Sequence, residues 1–181
     1  MLSDLAARVS CYEEDDVVVL QQGIAYTDAV AESSLSKTYE FGPIEPLLAQ
    51  RHLVISLTPL SGDPDLYIGV GFVPDRDHFS WYKNQSGFDV MYVEPSTPFY
   101  AENVTYYIRA YGYTASSFAV VWYTTDSHVT FQDGIPQISV CRGSTYHYYK
   151  FKLEGANNFT VTVTPVSGDP GIYASTGTQY P

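Results

Sequence analysis

Three segments of this chain occur twice, and the distance between the copies limits the fold more than any other feature. Leu20-Gln21-Gln22-Gly23-Ile24 returns as Phe131-Gln132-Asp133-Gly134-Ile135, displaced by 111 positions. Thr38-Tyr39-Glu40-Phe41 is echoed by Tyr148-Tyr149-Lys150-Phe151. Leu57-Thr58-Pro59-Leu60-Ser61-Gly62-Asp63-Pro64 is echoed by Val163-Thr164-Pro165-Val166-Ser167-Gly168-Asp169-Pro170, displaced by 106. The first copy therefore holds extra residues between Phe41 and Leu53, which a surface loop at 43–50 absorbs at small entropic cost. A period of 111 residues is a whole domain, since solenoid units run to about 20 to 50 residues.

The same displacement lays Val9-Ser10-Cys11-Tyr12 on Val120-Val121-Trp122-Tyr123. Residues 1–12 are thus read as the last strand of a preceding repeat, 13–125 as one complete unit, and 126–181 as the N-terminal part of the next. Pro181 falls near the place matched by Pro74, so the second copy has no counterpart of residues 76–123. Alternatively, residues 2–12 are a donor strand that fills a neighbour's incomplete sandwich. One strand cannot replace half a sandwich, which favours tandem units.

The fold class follows from strand periodicity. In Phe159-Thr160-Val161-Thr162-Val163-Thr164 every second residue is apolar and the others are Thr, as in a strand with one buried and one wet face. Leu53-Val54-Ile55-Ser56-Leu57-Thr58 matches it, so Phe159, Val161, Val163, Leu53, Ile55 and Leu57 are expected to point inward. Further strands are expected at 17–20, 37–41, 66–70, 90–93, 105–111 and 117–123, separated by turns at 61–64, 73–75, 85–87 and 114–116. Aromatics make up 15% of residues, 17 of them Tyr, and charged residues only 16%, which suits half-buried strands better than helices. The expected class is all-β: an antiparallel β-sandwich of jelly-roll or immunoglobulin-like kind, in tandem repeats.

Strand-ending Gly62-Asp63-Pro64-Asp65-Leu66-Tyr67-Ile68, followed by Tyr106-Tyr107-Ile108-Arg109-Ala110-Tyr111-Gly112-Tyr113, resembles the bacterial pre-peptidase C-terminal domain and its eukaryotic relatives. The likeness spans residues 17–123 and resumes at Val129. The second copy departs from it with Gly171 where the first has Asp65. The resemblance implies a jelly-roll-like accessory module of large secreted or surface proteins, associated with substrate adhesion, solubility and in some members calcium.

Twenty Asp and Glu stand against nine Lys and Arg, a formal net charge of −11. That field repels phosphate backbones and argues against nucleic-acid binding. No apolar run approaches the roughly 20 residues of a membrane span, and residues 1–10 lack a signal-peptide pattern. Three sequons, at Asn84, Asn103 and Asn158, take in all but one of the Asn residues. They point to an extracellular or cell-surface glycoprotein carrying N-linked glycans.

Asp63, Asp65, Asp75 and Asp77 form the densest acidic group in the complete unit, and loop carboxylates are the oxygen ligands calcium takes. Asp63 capping its own turn explains the same residues, so no cofactor is required and calcium stays a candidate. Asp15 and Asp16 lie in an acidic linker that a solvated charge run explains. His52, His78, His128 and His147 are scattered, and no Ser sits in a G-x-S-x-G elbow, so a catalytic constellation is not expected. Cys11 and Cys141 fall in different units; each is expected to pair outside this stretch or to stay a thiol. Trp81, Tyr82, Tyr107 and Tyr111 are the candidate binding aromatics, either stacking on a ligand or packing across strands.

The expected function is a non-catalytic structural or adhesive repeat of a glycosylated extracellular filament, surface coat or appendage, partnered by neighbouring copies. The alternatives are a substrate-binding accessory domain of a secreted hydrolase and a calcium-dependent adhesion module.

Overall fold

Alternating apolar residues build strands only where neighbouring strands complete the hydrogen-bond ladder, and the computed structural model shows where that happens. It describes residues 16–31, 35–46, 51–143, 145–153, 155 and 158–176. No helix occurs among them. The strands are β1 (Val18–Val19), β2 (Tyr26–Val30), β3 (Ser36–Phe41), β4 (Leu53–Ser61), β5 (Pro64–Val70), β6 (Trp81–Lys83), β7 (Asp89–Val93), β8 (Tyr106–Gly112), β9 (Ser116–Thr124), β10 (His128–Thr130) and β11 (Tyr148–Lys150). A five-stranded sheet has the order β1-β3-β8-β5-β6, and a four-stranded sheet the order β2-β9-β4-β7. Pairing is antiparallel throughout both, except that β1 runs parallel to β3.

The two sheets share one core. Tyr39, Phe41, Leu66, Ile68 and Ile108 of the first meet Leu53, Ile55, Leu57, Phe118, Val120 and Trp122 of the second. Aromatic rings cross this core in a stack. Phe41 lies 4.6 Å from Trp122 and 5.2 Å from Tyr106, and Tyr106 lies 6.1 Å from Trp81, all within 21° of parallel. Polar tips in such a core need partners. The Trp122 indole donates to the Leu20 carbonyl at 3.2 Å, the Trp81 indole to the Pro98 carbonyl at 2.9 Å, and the Tyr106 hydroxyl to the Ala101 carbonyl at 2.6 Å. Buried Tyr39 reaches from the first sheet to the second, donating to Asp28 at 2.9 Å.

Leu53, Ile55 and Leu57 point inward as the alternation requires. The opposite face of β4 is not wet, however: Val54, Ser56 and Thr58 are also buried, because residues 129–149 lie across it. β2 and β6 were not expected. Tyr26-Thr27-Asp28-Ala29-Val30 mixes polar residues into an edge strand, and Trp81–Lys83 is too short to show a period. The first strand is shorter than 17–20. Residues 1–12, and 47–50 of the anticipated loop, lie outside the described residues.

The duplicated segments adopt duplicated geometry. β10 and β11 pair in parallel with Val129 opposite Tyr149, as β1 and β3 do with Val18 opposite Tyr39. The Leu20 amide donates to Glu40 and the Phe131 amide to Lys150, each at 2.8 Å. The turn after each carries a left-handed glycine, Gly23 at φ 70° and Gly134 at φ 75°.

The strand expected at Phe159–Thr164 does not form. Phe159, Val161 and Val163 are 54%, 39% and 50% exposed instead of inward. The reason is the lack of neighbours: β4 is a strand because β7 and β9 flank it, and no described segment flanks 158–165.

Gly62 and Gly168 share a left-handed turn, at φ 73° and 77°. A Cβ on Gly62 would collide with the Ala115 carbonyl oxygen and the Ser116 hydroxyl and stand 2.8 Å from the Ser116 Cα, whereas one on Gly168 would meet nothing within 4 Å. Gly62→Ala is expected to cost more than about 2 kcal/mol in chemical denaturation, combining left-handed strain with a backbone clash. Gly168→Ala should carry at most the strain, roughly 1 kcal/mol. Equal effects would contradict this account.

Candidate functional site

The most extensively built surface feature is the junction between the nine-stranded body and the segment that follows it. β9 ends at Thr124, a tight turn follows with the Ser127 amide donating to the Thr124 carbonyl at 2.8 Å, and the Thr130 amide of β10 donates to Gly23 at 2.7 Å. Gly23 leaves the space this needs, since a Cβ there would collide with the His128 carbonyl. Val129 then packs with Ala25, Val54, Val121 and Tyr123, and Tyr149 flanks the same group. Burying these apolar side chains supplies the attraction that seats the segment on the outer face of the four-stranded sheet.

Polar groups fix the register of that seating. The Tyr123 hydroxyl, Ser139 Oγ and His147 Nδ1 form a triangle of hydrogen bonds with edges of 2.7, 3.0 and 2.8 Å. Ser56 donates to the Ile138 carbonyl at 3.0 Å, and the Gln132 side chain to the Ala25 carbonyl at 2.9 Å. The Arg142 guanidinium lies 4.8 Å from the Tyr92 ring centre, a cation–π contact. Burial raises the Tyr123 and Tyr149 hydroxyls and lowers His147. His147 Nε2 is buried without a partner, so burial there disfavours the charged ring.

The outer face of the five-stranded sheet carries the candidate aromatics, with one correction. Trp81 is not on it: its ring belongs to the core stack, because Trp81 stands opposite inward-facing Ile68. Tyr82 is exposed, Tyr107 half-buried and Tyr111 buried. Tyr67, missed by sequence reasoning, is the centre of the group, with Phe79, Tyr82 and Tyr111 at 5.6, 5.8 and 5.4 Å. Arg76 and Arg109 lie 4.6 and 5.6 Å from the Tyr111 ring centre. The register Tyr67↔Arg109 and Tyr67↔Tyr82 gives this face its makeup.

The four aspartates divide into two settings. Asp75 closes its own turn, accepting from the Asp77 and His78 amides at 2.8 and 2.7 Å, and those bonds hold its carboxyl below the usual range. Asp63 accepts from the Gly87 amide at 3.3 Å. Asp65 is raised by burial and by Asp63, with Arg76 opposing. No group of three or more His, Cys, Asp or Glu among the described residues is arranged to hold a metal ion. Asp16 is exposed and Asp15 lies outside the described residues.

Asp89, which the sequence did not single out, is the most perturbed acid. It is buried, with one oxygen accepting from the Leu66 amide at 3.2 Å and the other unpartnered. Burial pushes it up to about 7, the Leu66 and Gln85 amides pull it down, and the Asp65 and Asp63 charges add to the rise.

His52 stacks on Tyr92 at 4.7 Å and His78 on Phe72 at 4.2 Å, while His128 packs beside Tyr148 at 5.6 Å. Asn84, Asn103 and Asn158 are all exposed, and Asn103 turns the chain at φ 57°, a conformation Asn tolerates. Cys141 is an exposed free thiol; Cys11 lies outside the described residues.

No protein-family model and no curated protein matches the chain. Two solved structures are similar in fold. One is the pre-peptidase C-terminal domain of a collagenase from Bacillus anthracis, with a TM-score of 0.40 and 10% identity over 60% of this chain and 95% of that one. The other is PliG from Aeromonas hydrophila, a periplasmic inhibitor of g-type lysozyme, with a TM-score of 0.37 and 12% identity over 59% of this chain and 95% of that one.

Two pH effects of opposite sign follow. Asp89 has its folded value raised, so its contribution is full below the unfolded value near 4 and is lost as pH rises through about 7. Asp89→Asn should remove much of that slope and stabilise the body at pH 8 by an amount on the order of 2 kcal/mol in urea titrations; a steeper slope would refute the assignment. His147 has its folded value lowered, so seating of the segment is full above the ordinary value of about 6.5 and weakens as pH falls below it. Amide exchange of β10 and β11 should therefore speed up on going from pH 7 to pH 5, relative to β4 and β9, and His147→Gln should lose that dependence.

Proposed function

We propose that this chain is a non-catalytic structural module, repeated along a glycosylated extracellular polymer, in which each unit presents its outer sheet face to the start of the next. The observation that carries the reading is the seating of residues 129–149. They reproduce the pairing and hydrogen bonds of residues 18–40, and they cover Val54, Val121 and Tyr123. A module whose following segment is packed and hydrogen-bonded against it transmits orientation along the chain, as a filament or coat requires and a loose tether does not.

The exposure of the sequon asparagines, Asn84, Asn103 and Asn158, supports the extracellular part of the reading.

Electron microscopy of the native material tests the reading. Regular fibres or sheets with successive units in fixed contact, and glycan density at Asn84, Asn103 and Asn158, are expected. Units strung flexibly beside a catalytic domain would overturn it in favour of an accessory binding domain of a secreted hydrolase.

A further inference from the structure

We propose that the outer face of the five-stranded sheet is a platform for the chain's own glycan: the first N-acetylhexosamine linked to Asn84 stacks on the Tyr82 ring. This rests on the glycosylated part of the reading above and gives one of the glycans a fixed place on the fold.

Asn84 opens the sequon Asn84-Gln85-Ser86, and Tyr82 stands two residues before it. In β6 Trp81 turns in to the core, 8% exposed, and Tyr82 turns out, 45% exposed. Successive strand residues point to opposite faces, so the same alternation carried two places on brings Asn84 to Tyr82's side, about 6.5 Å along the chain. Asn84 is exposed there. The sequon at Asn103 has Ala101 in the corresponding place and offers no such ring.

The Tyr82 ring is held from beneath. Buried Tyr67 lies within 18° of parallel to it at 5.8 Å, and Phe79 leans on it at 4.6 Å. These contacts fix where the ring stands and still leave nearly half of it open to solvent. A pyranose presents a patch of C–H groups on one face, and their slightly positive hydrogens suit the negative face of an aromatic ring.

The attachment point is held as well. The Gly87 amide donates to Asp63 at 3.3 Å, and the Gln85 amide donates to buried Asp89. With ring and linkage both fixed, the sugar gives up little freedom on docking that the chain has not already lost.

The two outer faces of the sandwich then have different occupants. Residues 129–149 cover the four-stranded side at Val54, Val121 and Tyr123, and the hydrated glycan covers the exposed ring on the five-stranded side. Protein contacts are thereby directed to the first side and kept off the second.

The test uses the 181-residue chain secreted from a host that attaches N-acetylglucosamine to sequons, trimmed by an endoglycosidase to one sugar per site. Peptide mass spectrometry is expected to find Asn84 occupied. In urea, followed by tryptophan fluorescence, the unfolding constant should be about fivefold lower than that of Ser86→Ala, which keeps Asn84 but carries no sugar on it. Tyr82→Thr should erase that difference, and Tyr82→Phe should keep it. In the folded protein the N-acetyl or ring protons of the Asn84 sugar should be shifted upfield by the ring current, and Tyr82→Thr should return them to the positions of a free glycan. An unoccupied Asn84, a glycan effect that survives Tyr82→Thr, or unshifted sugar protons would each overturn the platform. If Asn103 and Asn158 carry glycans in the native material while the Asn84 sugar ignores Tyr82, the glycosylated reading stands and only the stacking falls; bare asparagines at all three sites bring down both.

Discussion

The line of rings from Trp122 through Phe41 and Tyr106 to Trp81 is the constraint on which the rest of the molecule depends. It joins the last strand of one sheet to three strands of the other, so it sets the distance between the layers and their rotation at once. Every ring that ends in a polar atom in this line has that atom bonded to a backbone carbonyl, in loops at 20, 98 and 101. The core therefore fixes the connecting segments as well as the strands. Aromatic stacking adds about 0.5–1.5 kcal/mol per pair over area burial, but its larger effect here is geometric.

Much of the fold was legible because strands with one buried face announce themselves by a period of two. Leu53, Ile55 and Leu57, and the Tyr106-Ile108-Ala110 side of β8, lie where that period puts them. What could not be read was anything decided by neighbours. Trp81 was taken for a surface ring because three residues carry no period. Val54 and Tyr123 are buried by a segment whose seating no local pattern encodes. The opposite error at Phe159, Val161 and Val163 has the same root: the pattern is that of a strand, but a strand is a property of a pair.

The candidate site was legible to a lesser degree. The tyrosine-rich stretches stood out, but Tyr67, at the centre of the aromatic face, had been absorbed into the turn motif that precedes it. Asp89 and His147 were invisible for a physical reason. Their character comes from burial and from unpartnered atoms, and neither quantity exists until the sheets close. The visible Asp75 proved to be a turn residue, its carboxylate accepting from the backbone amides of Asp77 and His78.

Consecutive strands in the body mostly alternate between the sheets, and β4 finds its principal partner only in β9. His52 and Thr125, which bond at the end of that ladder, are 73 residues apart in sequence. A ribosome delivers the chain from one end, so β4 waits for most of the body to be made before β9 can close its ladder. Contacts of such long range also slow folding. While β9 is still emerging, β4 is briefly a free edge, open to any other extended segment of the chain.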